Sequence, residues 1–401
     1  MTQRLYLQDA YATTFSAHIV ERVLMPDGRL AVVLDHTAFY PGMSGLPADQ
    51  GWLNRAPVID VIVREDGEIL HVLSEEIWED QVQAQIKWPR RLDAMRQHTA
   101  GHLLAHALKQ ASGAAMLGLM VTEQAAWLEL SRPDVSPAQV EQAESAANEI
   151  VLGNRAVRIT SVNAAQASKI GLAVPAGVVW PMQVVSVEGM DVTACQGVHV
   201  ALTGEVGLVK VLGCEARDER LRVQFACGSR ALAEFRKAEQ TLALVAANLG
   251  VAAANVAPVV TRLASEWSAA RTELETLRSQ MVGFEAEALV ASAKGANGLR
   301  VVRRVYNERD VAEVRQLASL VVAQPGLVAL LGTAGSRAQL VFARSADVGQ
   351  DMTVIVQAAV RMLNASGGGQ PALAESLPVR ADEARVEAAI AKAAKLLTSR
   401  R

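Results

Sequence analysis

Two histidines, His98 and His102, stand four residues apart with only Thr99, Ala100 and Gly101 between them. On a helix this spacing sends both imidazoles off one face, where they can meet a single ligand. A second pair, Cys195 and His199, brackets Gln196-Gly197-Val198 and sets a thiol and an imidazole four apart in a glycine-containing turn. Two histidines from a helix with a cysteine and a histidine from a loop complete a zinc tetrahedron in ligand type and number. Either pair alone is a weak signal, since packed or surface residues share these spacings. The alternative is a buried cysteine and a capping histidine that never meet the helix. His106 continues the row, but at a rise of ~1.5 Å per residue it lies about 12 Å along the axis from His98, too far for one ion.

No glutamate separates His98 from His102, so the base of an HExxH peptidase is absent from its expected place. An ion holding all four ligands has no open position, and would organise a pocket rather than generate hydroxide. Such a site suits a substrate that is already activated, such as an aminoacyl ester.

The elements that must position these residues follow from the patterning. Residues 1–88 read as short strands with tight turns at Pro26-Asp27-Gly28 and Asp66-Gly67, which predicts a small β-barrel. Pro89 opens a helix over Arg90–Gln110, closed by Gly113. Strand patterns at Ala125–Leu130, Ala156–Val162, Val179–Val187, Val206–Leu212 and Arg220–Ala226, with a helix capped by Ser136, predict an α/β domain over 89–228. From Ala231 the apolar period becomes 4,3: Phe235, Leu242, Val245 and Leu249, then Leu263, Trp267, Leu274, Leu277, Met281 and Phe284. That seam predicts a coiled-coil-like helical arm over 229–297. After the linker 294–298, residues 298–401 read as a small α/β domain with strands at Leu327–Leu331 and Ala338–Ala343. Gly367-Gly368-Gly369 is expected there as an exposed loop whose amides can cradle a phosphate. The expected fold class is thus α+β and multidomain.

Composition narrows the setting. The chain has 401 residues, 51% hydrophobic and 20% charged, enough apolar content for each piece to bury a core. A net charge of -3 excludes non-specific coating of nucleic acid, though one basic face remains compatible with RNA. Three cysteines are too sparse for a disulfide framework, and no signal peptide or membrane span is visible, so the expected compartment is the cytoplasm.

The pattern HTAGH…CQGVH, with the flanks RLDAMRQHTAGHLLAHAL, MDVTACQGVHVALTGEVGLVKVL and RVQFACGSRAL, resembles the editing domain of alanyl-tRNA synthetase and its free-standing AlaX-type relatives. RLYLQDAYATTFSAHIV and VVLDHTAFYP look like the small barrel that precedes that domain. GGGQPALAE, after a helical arm, is similar to the DHH-associated C-terminal domain of the long AlaX proteins. The resemblance covers essentially the whole chain. It implies a hydrolase that binds tRNA(Ala) and removes wrongly attached serine, sometimes glycine, with zinc on His98, His102, Cys195 and His199.

The resemblance also implies catalytic-site roles for Thr37, which in the family favours the hydroxyl of serine, and for Cys195. The chain departs from the pattern after FYP: a glycine-rich run ending in Gln is here Gly42-Met43-Ser44-Gly45-Leu46-Pro47. Gln196 and Val198 also replace a usual glycine and threonine. With no activation motifs ahead of the barrel, the expectation is editing without charging, by a homodimer joined through the C-terminal region. The rival expectations are a tRNA-binding or assembly protein with a decayed pocket, and a deacylase for another small aminoacyl ester.

Overall fold

A computed structural model describes residues 2–172, 180–296 and 298–398. Val179 of an expected strand and Asn297 of the expected linker lie outside the described residues. The fold mixes helix and strand, includes a closed six-stranded barrel, and divides into two compact units, residues 1–248 and 249–401. The division falls at the end of one helix of the expected arm.

In the first unit, the strands Thr14–Leu24, Leu30–Leu34, Ile69–Leu73, Ala56–Val63, Gly51–Leu53 and Gln81–Ile86 close the barrel in that order. Alternation drives the closure: Gln81–Ile86 exposes its glutamines and buries Val82, Ala84 and Ile86. Gly28 turns the first hairpin at φ +84°, a conformation that a side chain disfavours.

The helix α1, Trp88–Ser112, has Pro89 in its first turn and ends on Gly113, whose N–H returns to the Lys109 carbonyl at 2.8 Å. Its Met95, Leu103, Leu104 and Leu108 join the barrel's Leu34, Phe39, Leu53 and Ile69 in one core. A buried ion pair ties the two. Arg91 of α1 donates to both carboxylate oxygens of Asp49 and to the carbonyls of Ala10 and Ala38, while Asp49 also accepts the Tyr40 N–H at 2.6 Å. Desolvation of such a pair is offset only when its remaining hydrogen-bonding groups are satisfied, as they are here.

A four-stranded antiparallel sheet follows, in the order Val209–Arg217, Arg220–Cys227, Ala126–Leu130 and Met116–Val121. The last strand was not expected; its apolar residues rim the site described below. Helix α2, Pro137–Leu152, starts with a capping box in which Ser136 and Gln139 bond reciprocally. Val157–Val162, Met182–Val187 and Thr193–Ala194 form a three-stranded sheet, with the short helix α3, Ala164–Lys169, between its first two strands. The unit ends in α4, Gly228–Leu249.

The second unit opens with α5, Val256–Ser292, which packs Val282 and Ala286 against Val314, Leu317 and Val321 of α6, Val311–Val321. The seam itself is elsewhere. Trp267, Leu274, Leu277, Met281 and Phe284 of α5 are exposed, as are Phe235 and Leu242 of α4.

Two further expectations change in this unit. Leu327–Leu331 and Ala338–Ala343 are halves of one strand, Leu327–Arg344, parallel to Leu299–Asn307 in its first half and antiparallel to Leu373–Ser376 and Val379–Ala381 in its second. The register shifts between Gly335 and Ala338, in the stretch that joins the two expected strands. Gly367–Gln370 is likewise no loop. It is the edge strand paired with Leu373–Ser376, and a Cβ on Gly369 would lie 2.5 Å from the Leu373 carbonyl oxygen. Alternate amides of such a strand turn into the ladder, so Gly367, Gly368 and Gly369 do not converge on one phosphate. Helices α7, Met352–Val360, and α8, Glu383–Thr398, cover the sheet.

Candidate metal centre

His98 and His102 leave the same face of α1, as the four-residue spacing requires. Cys195 follows the strand Thr193–Ala194, whose pairing with Met182–Val187 aims the turn 195–199 back at the helix. The four ligand atoms lie within 4.8 Å of one another. His102 Nε2 is 3.3 Å from His98 Nε2, and Cys195 Sγ is 3.4 Å from His98 Nε2 and 3.2 Å from His199 Nε2. A tetrahedral ion with bonds of ~2.0–2.3 Å has donor–donor edges of about 3.3–3.6 Å. Three edges of the cluster match those dimensions.

Tautomers agree with this reading. The Val198 carbonyl can only accept, so His98 donates to it through Nδ1 at 3.0 Å and keeps a lone pair on Nε2. His199 Nδ1 lies 3.1 Å from Thr99 Oγ1, which also accepts the Val200 N–H at 3.3 Å. With Nδ1 donating to this acceptor, the Nε2 of His199 is likewise left free. Lone pairs converging at such distances repel one another unless a cation lies between them.

Protonation follows the same logic. Burial lowers His98 to about 4 and His102 to about 3, and lowers His199 well below its ordinary value, so all three imidazoles are neutral donors near pH 7. Burial pushes the Cys195 thiol up to about 11. A thiolate there requires a cation beside it, which suits Cys195 to metal donation better than to free nucleophilic attack.

Glycine makes the geometry possible. A Cβ on Gly197 would lie 2.1 Å from His98 Cε1, and one on Gly101 would lie 2.5 Å from Leu119 Cδ1. The cluster sits at a cleft of about 280 Å³ lined by His98, His102 and Cys195 together with Ser44, Gln183, Gln196 and the apolar Met116, Leu119, Met182 and Ala194. No carboxylate lines it among the described residues. Loop 42–46 forms one rim, pinned where the Gly45 carbonyl accepts the Val121 N–H at 2.7 Å. Leu46 is buried beneath it, against Gly197.

Two other candidates lie apart from the cluster. Thr37 is fully buried and is not among the residues lining the cleft; its hydroxyl accepts the Phe39 N–H at 3.1 Å and donates to His71 Nε2 at 2.8 Å. His106 takes no place among the four donors.

Comparison with known proteins joins this geometry to a family. Residues 182–223 match the family described as the threonyl and alanyl tRNA synthetase second additional domain, a span that includes Cys195 and His199. The alanine–tRNA ligase of Methanoregula boonei is 33% identical over 394 residues, covering 93% of this chain and 41% of that protein. Those of Methanothrix thermoacetophila and Haloquadratum walsbyi are 31% and 29% identical, over 93% and 96% of this chain and 42% and 43% of theirs. The chain is an alanyl-tRNA synthetase relative.

This chain spans about two fifths of the length of the relatives it matches. Among solved structures, the C-Ala domain of Aquifex aeolicus alanyl-tRNA synthetase is 19% identical, covering 27% of this chain and 95% of its own, at a TM-score of 0.24, too low to carry an argument.

Ser44, Gln183 and Thr99 are the polar groups of this synthetase relative's site that sequence reasoning did not assign. Thr99 had a signal in its place between the two helical histidines. Ser44 had one in the run after FYP, where the chain departs from the family pattern; Gln183 had none, because it reaches the cleft from a strand far away in the chain.

Proposed function

We propose that this synthetase relative is a trans-editing hydrolase, cleaving the aminoacyl ester of mischarged tRNA(Ala), with serine the principal acid removed and glycine a second. The reading rests on one observation: four neutral or ionisable donors meet within 4.8 Å of one another at a cleft of about 280 Å³. That volume sits at the small end of ligand sites, which suits a short aminoacyl group on a terminal ribose. Zinc is the ion that three imidazoles and one thiolate favour, with His98, His102, Cys195 and His199 as its ligands. Four protein donors fill its coordination, so it supplies rigidity and a positive field near the cleft rather than a bound nucleophile.

The chain's own residues then bind and orient. Met116, Leu119 and Met182 give the cleft apolar surface that excludes bulk water, while Ser44 and Gln183 supply polar contacts. Water attacks the acyl carbon, the ester C–O bond breaks, and the ribose oxygen leaves with a proton. No carboxylate lines the cleft among its described residues, so that proton travels through the substrate's neighbouring ribose hydroxyl. Thr37, with its hydroxyl committed to His71, acts by holding Phe39 and the start of the rim loop.

The partner is tRNA(Ala) carrying the wrong amino acid, met in the cytoplasm. The exposed stripe Trp267, Leu274, Leu277, Met281 and Phe284 supports a homodimer through the C-terminal region, since an apolar stripe of this length rarely faces water.

The test is deacylation of Ser-, Gly- and Ala-tRNA(Ala) by the zinc-loaded full chain. Faster release of serine than of alanine is expected, because a site that hydrogen-bonds a hydroxyl penalises the analogue lacking it. Equal rates would remove the editing reading. Retained tRNA binding with no hydrolysis would replace it by that of a tRNA-binding protein whose pocket has decayed.

A further inference from the structure

We propose that Ser44 determines the specificity of the cleft, its hydroxyl oxygen accepting a hydrogen bond from the side-chain hydroxyl of a seryl ester. This rests on the deacylase reading above and sharpens it, because glycyl and alanyl groups have no such donor.

Ser44 carries the only hydroxyl among the described residues that line the cleft. Its φ is +52°, in the left-handed region that a non-glycine residue enters only when its surroundings hold it there. They hold it from several sides. Leu46 N–H bonds back to the Met43 carbonyl at 2.9 Å, and the Gly45 carbonyl accepts from Val121. Asp49 and Tyr40 close the loop's base, each accepting a backbone N–H from the other.

Hydrogen-bond chemistry sets what Ser44 can recognise. Tyr40 has one phenolic hydrogen, and it goes to the Met43 carbonyl at 3.1 Å. That bond ties the residue before Ser44 to a buried side chain. A serine hydroxyl accepts as well as donates, so Ser44 can meet the hydroxyl of a bound seryl group.

The cleft's other neutral hydrogen-bonding side chains are the carboxamides of Gln183 and Gln196. The imidazoles and thiol aim at the metal centre, and the Gln183 carboxamide donates to the Leu7 carbonyl at 3.4 Å. The hydroxyl of Thr37 is taken by His71 and Phe39. Met116, Leu119 and Met182, which also line the cleft, offer only thioethers and methyls. A bound methyl offers Ser44 no hydrogen bond.

The experiment compares the zinc-loaded full chain with Ser44→Ala and Ser44→Gly. It reads kcat/KM on Ser- and Ala-tRNA(Ala), and affinity for non-hydrolysable 3′-amide analogues of seryl- and alanyl-adenosine. Loss of one neutral hydrogen bond should reduce the serine-over-alanine ratio by about 3- to 10-fold in both variants, in rate and in binding. An equal loss on both acyl groups would mean that Ser44 serves the shared ammonium or the loop, and the proposal would fall. A reduced ratio in Ser44→Ala alone would assign the effect to backbone strain, which glycine relieves, and would also overturn it. Seryl-analogue preference that depends on Ser44, with no hydrolysis of any ester, would uphold the contact and remove the deacylase reading.

Discussion

Replacing Gly197 by alanine puts the metal centre to a direct test. The added Cβ would lie 2.1 Å from His98 Cε1, 2.6 Å from His98 Nδ1 and 2.9 Å from Leu46 Cδ1. Ordinary contact begins near 3.4 Å, so the ring or the turn must retreat by about 1.3 Å. Metal bonds tolerate displacements of about 0.2 Å, so a shift of this size removes His98 from the tetrahedron. The retreat also strains the 3.0 Å bond from His98 Nδ1 to the Val198 carbonyl, which orients the imidazole.

Overpacking of this kind costs about 1–3 kcal/mol, and loss of an orienting partner alone lowers metal affinity by about 10- to 100-fold. Zinc per chain, measured by mass spectrometry after dialysis, should fall from about one to a small fraction, and chelator competition should give the affinity. Gly118→Ala is the control, because nothing lies within 4 Å of its Cβ position. If Gly197→Ala kept one zinc at unchanged affinity, the placement of the 195–199 turn against His98 would be wrong.

Three further outcomes follow from the same contacts. Thr99→Val removes the acceptor for His199 Nδ1 and the partner of the Val200 N–H, so zinc affinity should fall about 10- to 100-fold in chelator titration; unchanged affinity would deny Thr99 its orienting role. Asp49→Asn leaves Arg91 buried without its counter-ion, and should cost roughly 3–5 kcal/mol by urea unfolding; Arg91→Met with Asp49→Leu should recover most of it, and a loss under 1 kcal/mol in the single variant would contradict the pairing.

His71 is held neutral by burial, its pKa lowered to about 4 from an ordinary 6.5. The unfolded chain takes its proton first, so stability falls as the pH drops from about 6.5 to about 4, by roughly 3 kcal/mol across that window. His71→Gln should flatten the fall of melting temperature over that range in metal-free protein; an unaltered slope would refute the assignment.

The donor set of the candidate metal centre was legible in the sequence because it depends on short spacings. His98 and His102 share a helical face by periodicity alone, and Cys195 and His199 span one turn around a glycine. The hairpins of the barrel were equally local, since Gly28 and Gly67 mark their turns and alternation marks their strands. What sequence could not decide was which segments meet. Helix α1 and the turn at 195–199 join over about a hundred residues, through the pairing of Thr193–Ala194 with Met182–Val187 and the near contact of Gly197 with His98.

The cleft's other walls arrive from loop 42–46 and the strand Met116–Val121, whose Gly118 and thioethers gave no clear strand period. Thr37 was taken for a site residue by resemblance, yet pairing within the barrel gives its hydroxyl to His71. Gly367–Gly369 was composed like a loop and became an edge strand, because a neighbouring strand satisfied its backbone groups. Periodicity and turn chemistry are properties of a few adjacent residues, and a sequence states them directly. Register, edge pairing and the direction of a buried hydroxyl depend on partners far along the chain, and only the folded structure supplies those.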